Sequence, residues 1–263
     1  MLEYATNFFL SGFIYPGILW HQVLIGIGLG MLFGAIWFTS YWTPILLKPW
    51  AWAIMTGSAI LAWTAAASIQ IPLQIWAGQI LGHFWNQEIL TAWVLIAGIP
   101  QILLSGLVQE GAKLVPVVIF WWRNDWDITP KLGLIIGATA GLGFGVFEAV
   151  WVHNTILTSG WSWEIVQSNG LIALAGFWER FFVIALHIAF SALAGYGLAK
   201  GWGWQFYLLA SFSHGFLNYS AVLLRTGIFT VIGMEIFVAV LAVLFTSLVL
   251  WLKWKEPPDI VEV

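Results

Sequence analysis

Long apolar runs separated by short polar breaks dominate this chain. A helix needs about 20 apolar residues to cross the hydrocarbon layer. By that measure the pattern predicts seven spans, approximately 18–39, 50–71, 91–122, 132–154, 177–199, 204–223 and 229–252. The expected fold class is therefore an all-α polytopic membrane protein of about seven transmembrane helices, or eight if the third run is two. That run, 91–122, would reach roughly 48 Å at ~1.5 Å per residue, so it is expected to tilt, kink or split near Pro100. The half-apolar stretches 72–90 and 155–176 read as interfacial or re-entrant pieces. The whole of 1–263 reads as one transmembrane domain, with a core at about 91–225, N-terminal spans in 1–90 and a short cytoplasmic tail, 253–263.

Composition agrees. The 263 residues are 61% hydrophobic and 8% charged, where a soluble domain carries about 25% charged residues. Mean hydropathy is +0.91. The expected location is the cell membrane, with the chain crossing it several times. A net charge of −3 gives no footprint for nucleic acid, and the absence of Cys excludes disulfides, thiolate nucleophiles and cysteine metal sites. Glu3 and the lack of Lys or Arg before the first apolar run do not fit a signal peptide, so the first span is expected to be retained. With the N-terminus outside, the inner loops and tail collect Lys48, Arg123, Lys131, Lys200, Lys253 and Lys255, against Arg225 outside. That asymmetry predicts an N-out, C-in topology. Trp37, Trp42, Trp50, Trp121, Trp122, Trp151, Trp178, Trp202, Trp204 and Trp251 fall near predicted span ends and read as interfacial anchors.

Ionisable residues inside apolar spans are costly, by at least roughly 2.5–3.5 kcal/mol each on insertion scales. Five stand out: Glu110 and Lys113 in the third span, Glu148 in the fourth, His187 in the fifth and His214 in the sixth. Counted from the cytoplasmic ends at ~1.5 Å per residue, Glu110 and His187 lie roughly 18 Å deep, His214 roughly 15 Å and Glu148 roughly 24 Å. Four helices thus place titratable groups in one slab. Their faces agree as well. Glu110 and Lys113 are i,i+3 neighbours. Gly137, Gly141 and Gly145 form a small-residue stripe that allows close helix approach, and Glu148 continues it. Arg180, His187, Ser191 and Gly195 share one face, as do His214 and Asn218. Pro116 frees the Ala112 carbonyl one turn from the Glu110–Lys113 pair. Each group alone has a plain structural account, such as a packing ion pair or an interhelical hydrogen bond. Glu179, Glu235, His21, His83 and His153 are read that way.

A carboxylate and two imidazoles in a dry cavity can activate water directly. They can also do so through a divalent metal such as zinc, with Glu110, Glu148, His187 and His214 as the candidate ligands. No cofactor is required by the first route. The chain has no His-Glu-x-x-His, no Asp within a span and no Gly-x-Ser-Gly, which sets aside other intramembrane hydrolase designs.

Four motifs in order then carry a resemblance. They are Gln109-Glu110-Gly111-Ala112-Lys113, GLGFGVFE from Gly141 to Glu148, RFFVIALHIAFSALAGYG from Arg180 to Gly197, and HGFLN from His214 to Asn218. Over roughly 100–225 the sequence resembles the PrsW/YhfC-type members of the CAAX-protease (CPBP) superfamily of intramembrane peptidases. That resemblance implies an intramembrane endopeptidase acting on a membrane protein or peptide within the lipid bilayer. By the same implication Gln109, Glu110, Glu148, His187, His214 and Asn218 are the catalytic set, with Lys113 and Arg180 supporting it. The family has two consecutive carboxylates where this chain has Gln109-Glu110, and the first commonly activates the water. Three explanations stand open. Glu110 or Glu148 supplies the base; the chain is a non-catalytic scaffold that binds a partner's helix; or Gln109 is an engineered Glu-to-Gln change that holds the enzyme inactive. A proton-coupled carrier is a further alternative, though no inverted repeat favours it.

Overall fold

The computed structural model describes residues 18–41 and 44–257. Glu3, Trp42 and the end of the tail from Pro258 lie outside the described residues, so the expectations placed on them stop there. The described chain is helical, and no strand occurs among the described residues. Its helices are α1 (Trp20–Phe38), α2 (Pro49–Ala65), α3 (Ile71–Phe84), α4 (Gln87–Ala92), α5 (Val94–Ala97), α6 (Ile99–Arg123), α7 (Pro130–Thr158), α8 (Trp163–Asn169), α9 (Ala175–Ala199), α10 (Gly203–Arg225) and α11 (Val231–Lys255).

Among the described residues, six helical stretches are long and apolar enough to cross a membrane: Trp20–Tyr41, Pro49–Phe84, Val94–Arg123, Pro130–Thr158, Trp163–Ala199 and Val231–Lys255. The chain is a multi-pass membrane protein. The predicted sixth span also exists as a helix, the 23 residues of α10, but His214, Asn218 and its serines dilute its apolar character.

Two expected boundaries move. Residues 72–84 are not a separate piece, because a π-helical turn, Ala66–Gln70, joins α2 to α3 without a break. Pro72 has no N–H to give the Ser68 carbonyl. The ladder loosens locally, and the Ile71 N–H reaches the Ala66 carbonyl five residues back. The joined helix of 36 residues would span roughly 54 Å at ~1.5 Å per residue, well beyond the ~30 Å hydrocarbon core. The long third run is broken at Trp93, and Val94–Arg123 continues as one helical stretch through a turn at Gly98. The main helix then starts with Pro100 in its first turn, where a missing N–H costs nothing. Pro116 is accommodated inside α6 without ending it.

Helices α7 and α9 form the buried centre, and the others wrap them. Glycines set this geometry. A Cβ on Gly137 would fall on the Ser191 carbonyl oxygen, and one on Gly141 would fall on the His187 carbonyl oxygen. The predicted stripe therefore does bring α7 and α9 into backbone contact. Gly143 meets Met55 of α2 in the same way, and Gly106 of α6 meets Ser211 of α10. Outward faces are apolar, with Leu24 66%, Phe212 63% and Ile232 62% exposed, as lipid contact demands.

The tryptophans divide. Trp122, Trp178, Trp202, Trp204 and Trp251 are exposed at helix ends, consistent with anchoring. Trp37, Trp50, Trp121 and Trp151 are half-buried packing residues instead. Trp37 tilts on Phe181 at 5.2 Å, Trp50 on Phe120 at 4.5 Å, and Trp151 meets Trp63 edge-on at 5.0 Å. His153 is fully buried, stacked on Phe177 with Nδ1 3.3 Å from the Gly26 carbonyl. Its role is structural, as expected.

Candidate active site

Glu110 sits at the centre of the polar cluster and is 0% exposed. Its Oε1 accepts from Lys113 Nζ at 2.5 Å and lies 2.6 Å from His214 Nδ1. Its Oε2 accepts from Ser191 Oγ at 3.3 Å. Helix α6 supplies the carboxylate and the amine one turn apart, α9 the serine and α10 the imidazole. Both oxygens are engaged by protein.

A second cluster adjoins the first. His187 Nε2 lies 3.0 Å from Glu148 Oε2, and its Nδ1 lies 3.2 Å from Lys113 Nζ. Since Lys Nζ only donates, Nδ1 is the acceptor and Nε2–H donates a hydrogen bond to Glu148 Oε2. Arg180 donates Nη1 to Glu148 Oε2 at 2.9 Å and Nη2 to Glu179 Oε1 at 2.6 Å. Its Nε is buried without a hydrogen-bond partner. Phe144 closes the group, with Lys113 Nζ 5.3 Å from its ring centre and the His187 ring perpendicular to it at 4.9 Å between centroids. Thus the depth count and helical faces did converge: Glu110, Lys113, Glu148, Arg180, His187 and His214 form one contiguous network.

A cavity of about 370 Å³ opens beside this network, lined by Glu148, Arg180, His187, His214, Asn218 and Ser105 among others. Asn218 Nδ2 donates to Ser105 Oγ at 2.9 Å. The far wall is made of uncharged amides, Gln70 and Gln74, and Gln74 exchanges hydrogen bonds with the backbone and side chain of Gln101 at 2.7 and 3.0 Å. Gln109 does not line the cavity. It is 8% exposed and donates to Gln70 Oε1 at 2.9 Å, while its own Oε1 is buried and unpartnered.

Several expectations shift here. Glu110 neither lines the cavity nor has a free oxygen for a water. Glu148 and Glu179 are the carboxylates that line the cavity, yet neither joins the group that could hold a metal. Glu179 forms an ion pair with Arg180 and lines the same cavity. Missed by sequence reasoning were Gln70, Gln74, Gln101 and Ser105. The available signal was a pair of glutamines at i,i+4 in an apolar helix, which a census of charge passes over.

Residues 47–249 match a family described as PrsW family intramembrane metalloprotease. The chain belongs to the PrsW family. No curated protein and no solved structure matches it. The match begins at residue 47 and so takes in α2 and the π-helical turn, well upstream of the four motifs. PrsW membership implies a protease, and its description implies a metal. The donor chemistry is in place: one ligand atom each from Glu110, His187 and His214 lie within 4.8 Å of one another, a common open zinc set. Glu148 adds a carboxylate behind His187, the usual support for a ligating imidazole. Lys113 breaks the fit. Its Nζ holds Glu110 Oε1 and His187 Nδ1, an atom each of two of the three candidate ligand residues, and is itself fully buried. As arranged, this set does not fit a divalent ion.

Proposed function

We propose that this PrsW-family chain is an intramembrane endopeptidase that hydrolyses a peptide bond of a membrane-embedded or membrane-proximal protein segment, using His214 as general base. The observation that carries this is the 2.6 Å contact between Glu110 Oε1 and His214 Nδ1 beside a polar cavity. A carboxylate that accepts Nδ1–H fixes the imidazole tautomer and leaves Nε2 with a lone pair. His214 Nε2 makes no hydrogen bond to the described residues, and His214 lines the cavity. His187 cannot serve equally, because both its ring nitrogens are engaged.

His214 Nε2 takes a proton from water as the hydroxyl oxygen attacks the scissile carbonyl carbon. Arg180 Nε–H, a buried donor with no partner, and the second amide hydrogen of Asn218 Nδ2 stabilise the oxyanion. His214 then returns the proton to the leaving nitrogen as the C–N bond breaks, giving a carboxylate and an amine. Glu110 positions His214; Glu148 positions His187 and Arg180. Topologically the basic-residue asymmetry supports an N-out, C-in chain of seven crossings. The motif order supports kinship with the wider CAAX-protease superfamily.

Gln109 favours a second reading, a scaffold that binds a partner helix without cutting it, since the family's usual base position is neutral here. Purified chain in nanodiscs with fluorogenic transmembrane peptides separates the two. Expected are cleavage by the unaltered chain, its loss in His214→Ala, and a change of no more than about tenfold in Gln109→Glu, less than the ~10²–10⁴ a general base contributes. An inert native chain rescued by Gln109→Glu moves the base to position 109. Inertness of both on every substrate, with partner binding retained, leaves the scaffold.

A further inference from the structure

The residues that would hold the metal implied by the family description are gripped by an amine of the same chain. Lys113 Nζ sits 2.5 Å from Glu110 Oε1, 3.2 Å from His187 Nδ1 and 5.3 Å from the centre of the Phe144 ring. A lysine ammonium has three N–H donors and no acceptor. Here they meet a carboxylate oxygen, an imidazole lone pair and an aromatic face, each of which attracts a cation. Neither Lys113 nor Glu110 has any exposed surface, so the amine has no solvated alternative nearby.

Charge balance points the same way. Glu110 and Lys113 form one ion pair and Glu148 and Arg180 another. The buried network is therefore neutral in these four groups, with two imidazoles beside them. Glu179 is held on the far side of Arg180, so a divalent ion would add two positive charges to a network with only that one carboxylate left over. Unbalanced charge in a low-dielectric interior is strongly disfavoured. An ion held through His187 Nδ1 and Glu110 Oε1 would meet Lys113, which already occupies both atoms.

We propose that Lys113 is a built-in cation that takes the place of a divalent metal between Glu110, His187 and His214 and keeps this site closed to one. The ammonium holds the Glu110 carboxylate where it can orient His214, and it fixes the His187 tautomer through Nδ1. This rests on the peptidase reading only for its catalytic consequence; the claim about what the site binds stands apart from cleavage.

The test is metal binding by the full chain in detergent or nanodiscs. Elemental analysis of the native chain is expected to find less than one transition metal per ten chains, and titration with Co²⁺ is expected to raise no ligand-field absorption band. Lys113→Met, which keeps length but removes the amine, is expected to bind one Co²⁺ per chain at least ~100-fold more tightly than native, in line with the loss of a close like charge. The band should vanish in Lys113→Met/His187→Ala. Native chain that holds one Zn²⁺ or Co²⁺ per chain, lost in His187→Ala or His214→Ala, overturns the proposal without recourse to any Lys113 variant. A folded Lys113→Met that takes no Co²⁺ overturns it too, because Lys113 is then not what closes the site. Should Lys113→Met fail to fold, Lys113→Arg tests the same point: it is expected to stay metal-free, and a bound metal there would refute a role for the cation. Metal exclusion in a chain that cleaves nothing would remove the peptidase reading and leave this one standing.

Discussion

Replacing Glu110 by Gln probes the most enclosed group in the molecule. The side chain keeps its shape, and its carbonyl oxygen can still accept from His214. What it loses is the charge opposite Lys113, whose Nζ lies 2.5 Å away with both partners fully buried. Removing one member of a buried ion pair costs ~3–5 kcal/mol, because the other is left uncompensated. Lys113→Met alone should cost a similar amount. The double variant removes both charges, and exchanging a whole buried pair for neutral groups is often neutral or better. It does strand His187 Nδ1, which loses its donor, a penalty of ~1–3 kcal/mol for an unsatisfied polar group. The double variant should therefore lie within ~1–3 kcal/mol of native, well above the sum of the singles, giving a coupling of at least ~3 kcal/mol. Reversible unfolding in mixed micelles of rising SDS fraction, followed by tryptophan fluorescence, reads each free energy. Singles and double that add to within ~0.5 kcal/mol would refute the buried pair, since additivity marks independent sites. Cleavage supplies a separate readout. Glu110 acts through His214, so Glu110→Gln should lower kcat, on the order of 10⁴ where an orienting carboxylate is lost in serine hydrolases, and leave KM near native.

The remaining predictions can be tested on the same preparation. Gly141→Leu drives a side chain into the His187 backbone and should destabilise the fold by ~3 kcal/mol or more, overpacking of this kind costing ~1–3 kcal/mol even in adaptable cores; thermal unfolding close to native would contradict the close α7–α9 contact. Arg180→Lys keeps the charge but loses the fork that holds Glu148 and Glu179 together with the spare Nε–H, so cleavage should fall by ~10²-fold or more at unchanged melting temperature, as for a lost oxyanion donor. Trp37→Ala should destabilise by ~1–3 kcal/mol through lost aromatic packing on Phe181 and Phe182; Trp204→Ala, 67% exposed, should instead leave unfolding unchanged and weaken only partition depth in bilayers, read by quenching with brominated lipids.

Much of the design is legible in the chain itself. Apolar runs fix the helical membrane class, because backbone polar groups cannot be left bare in lipid. Glu110, Lys113, Glu148, His187 and His214 declare themselves by cost, since an ionisable group at mid-span must have partners. Period and rise suffice to give each a face and a depth, which is why the Gly137–Gly141 stripe and the convergence of four helices were predictable. Periodicity ends at the helix surface, however. It does not say which atom of a side chain meets which neighbour, and that is decided by rotamers and by how closely two backbones approach. Only the tertiary structure turns Glu110 away from the cavity, sets Lys113 against His187 and leaves Arg180 Nε free. Only there does Gln109 pair with Gln70, a residue carried in on a π-helical turn 39 positions earlier. Sequence thus determined that charged groups would meet within the membrane. Packing decided that the Lys113 amine stands between Glu110 and His187.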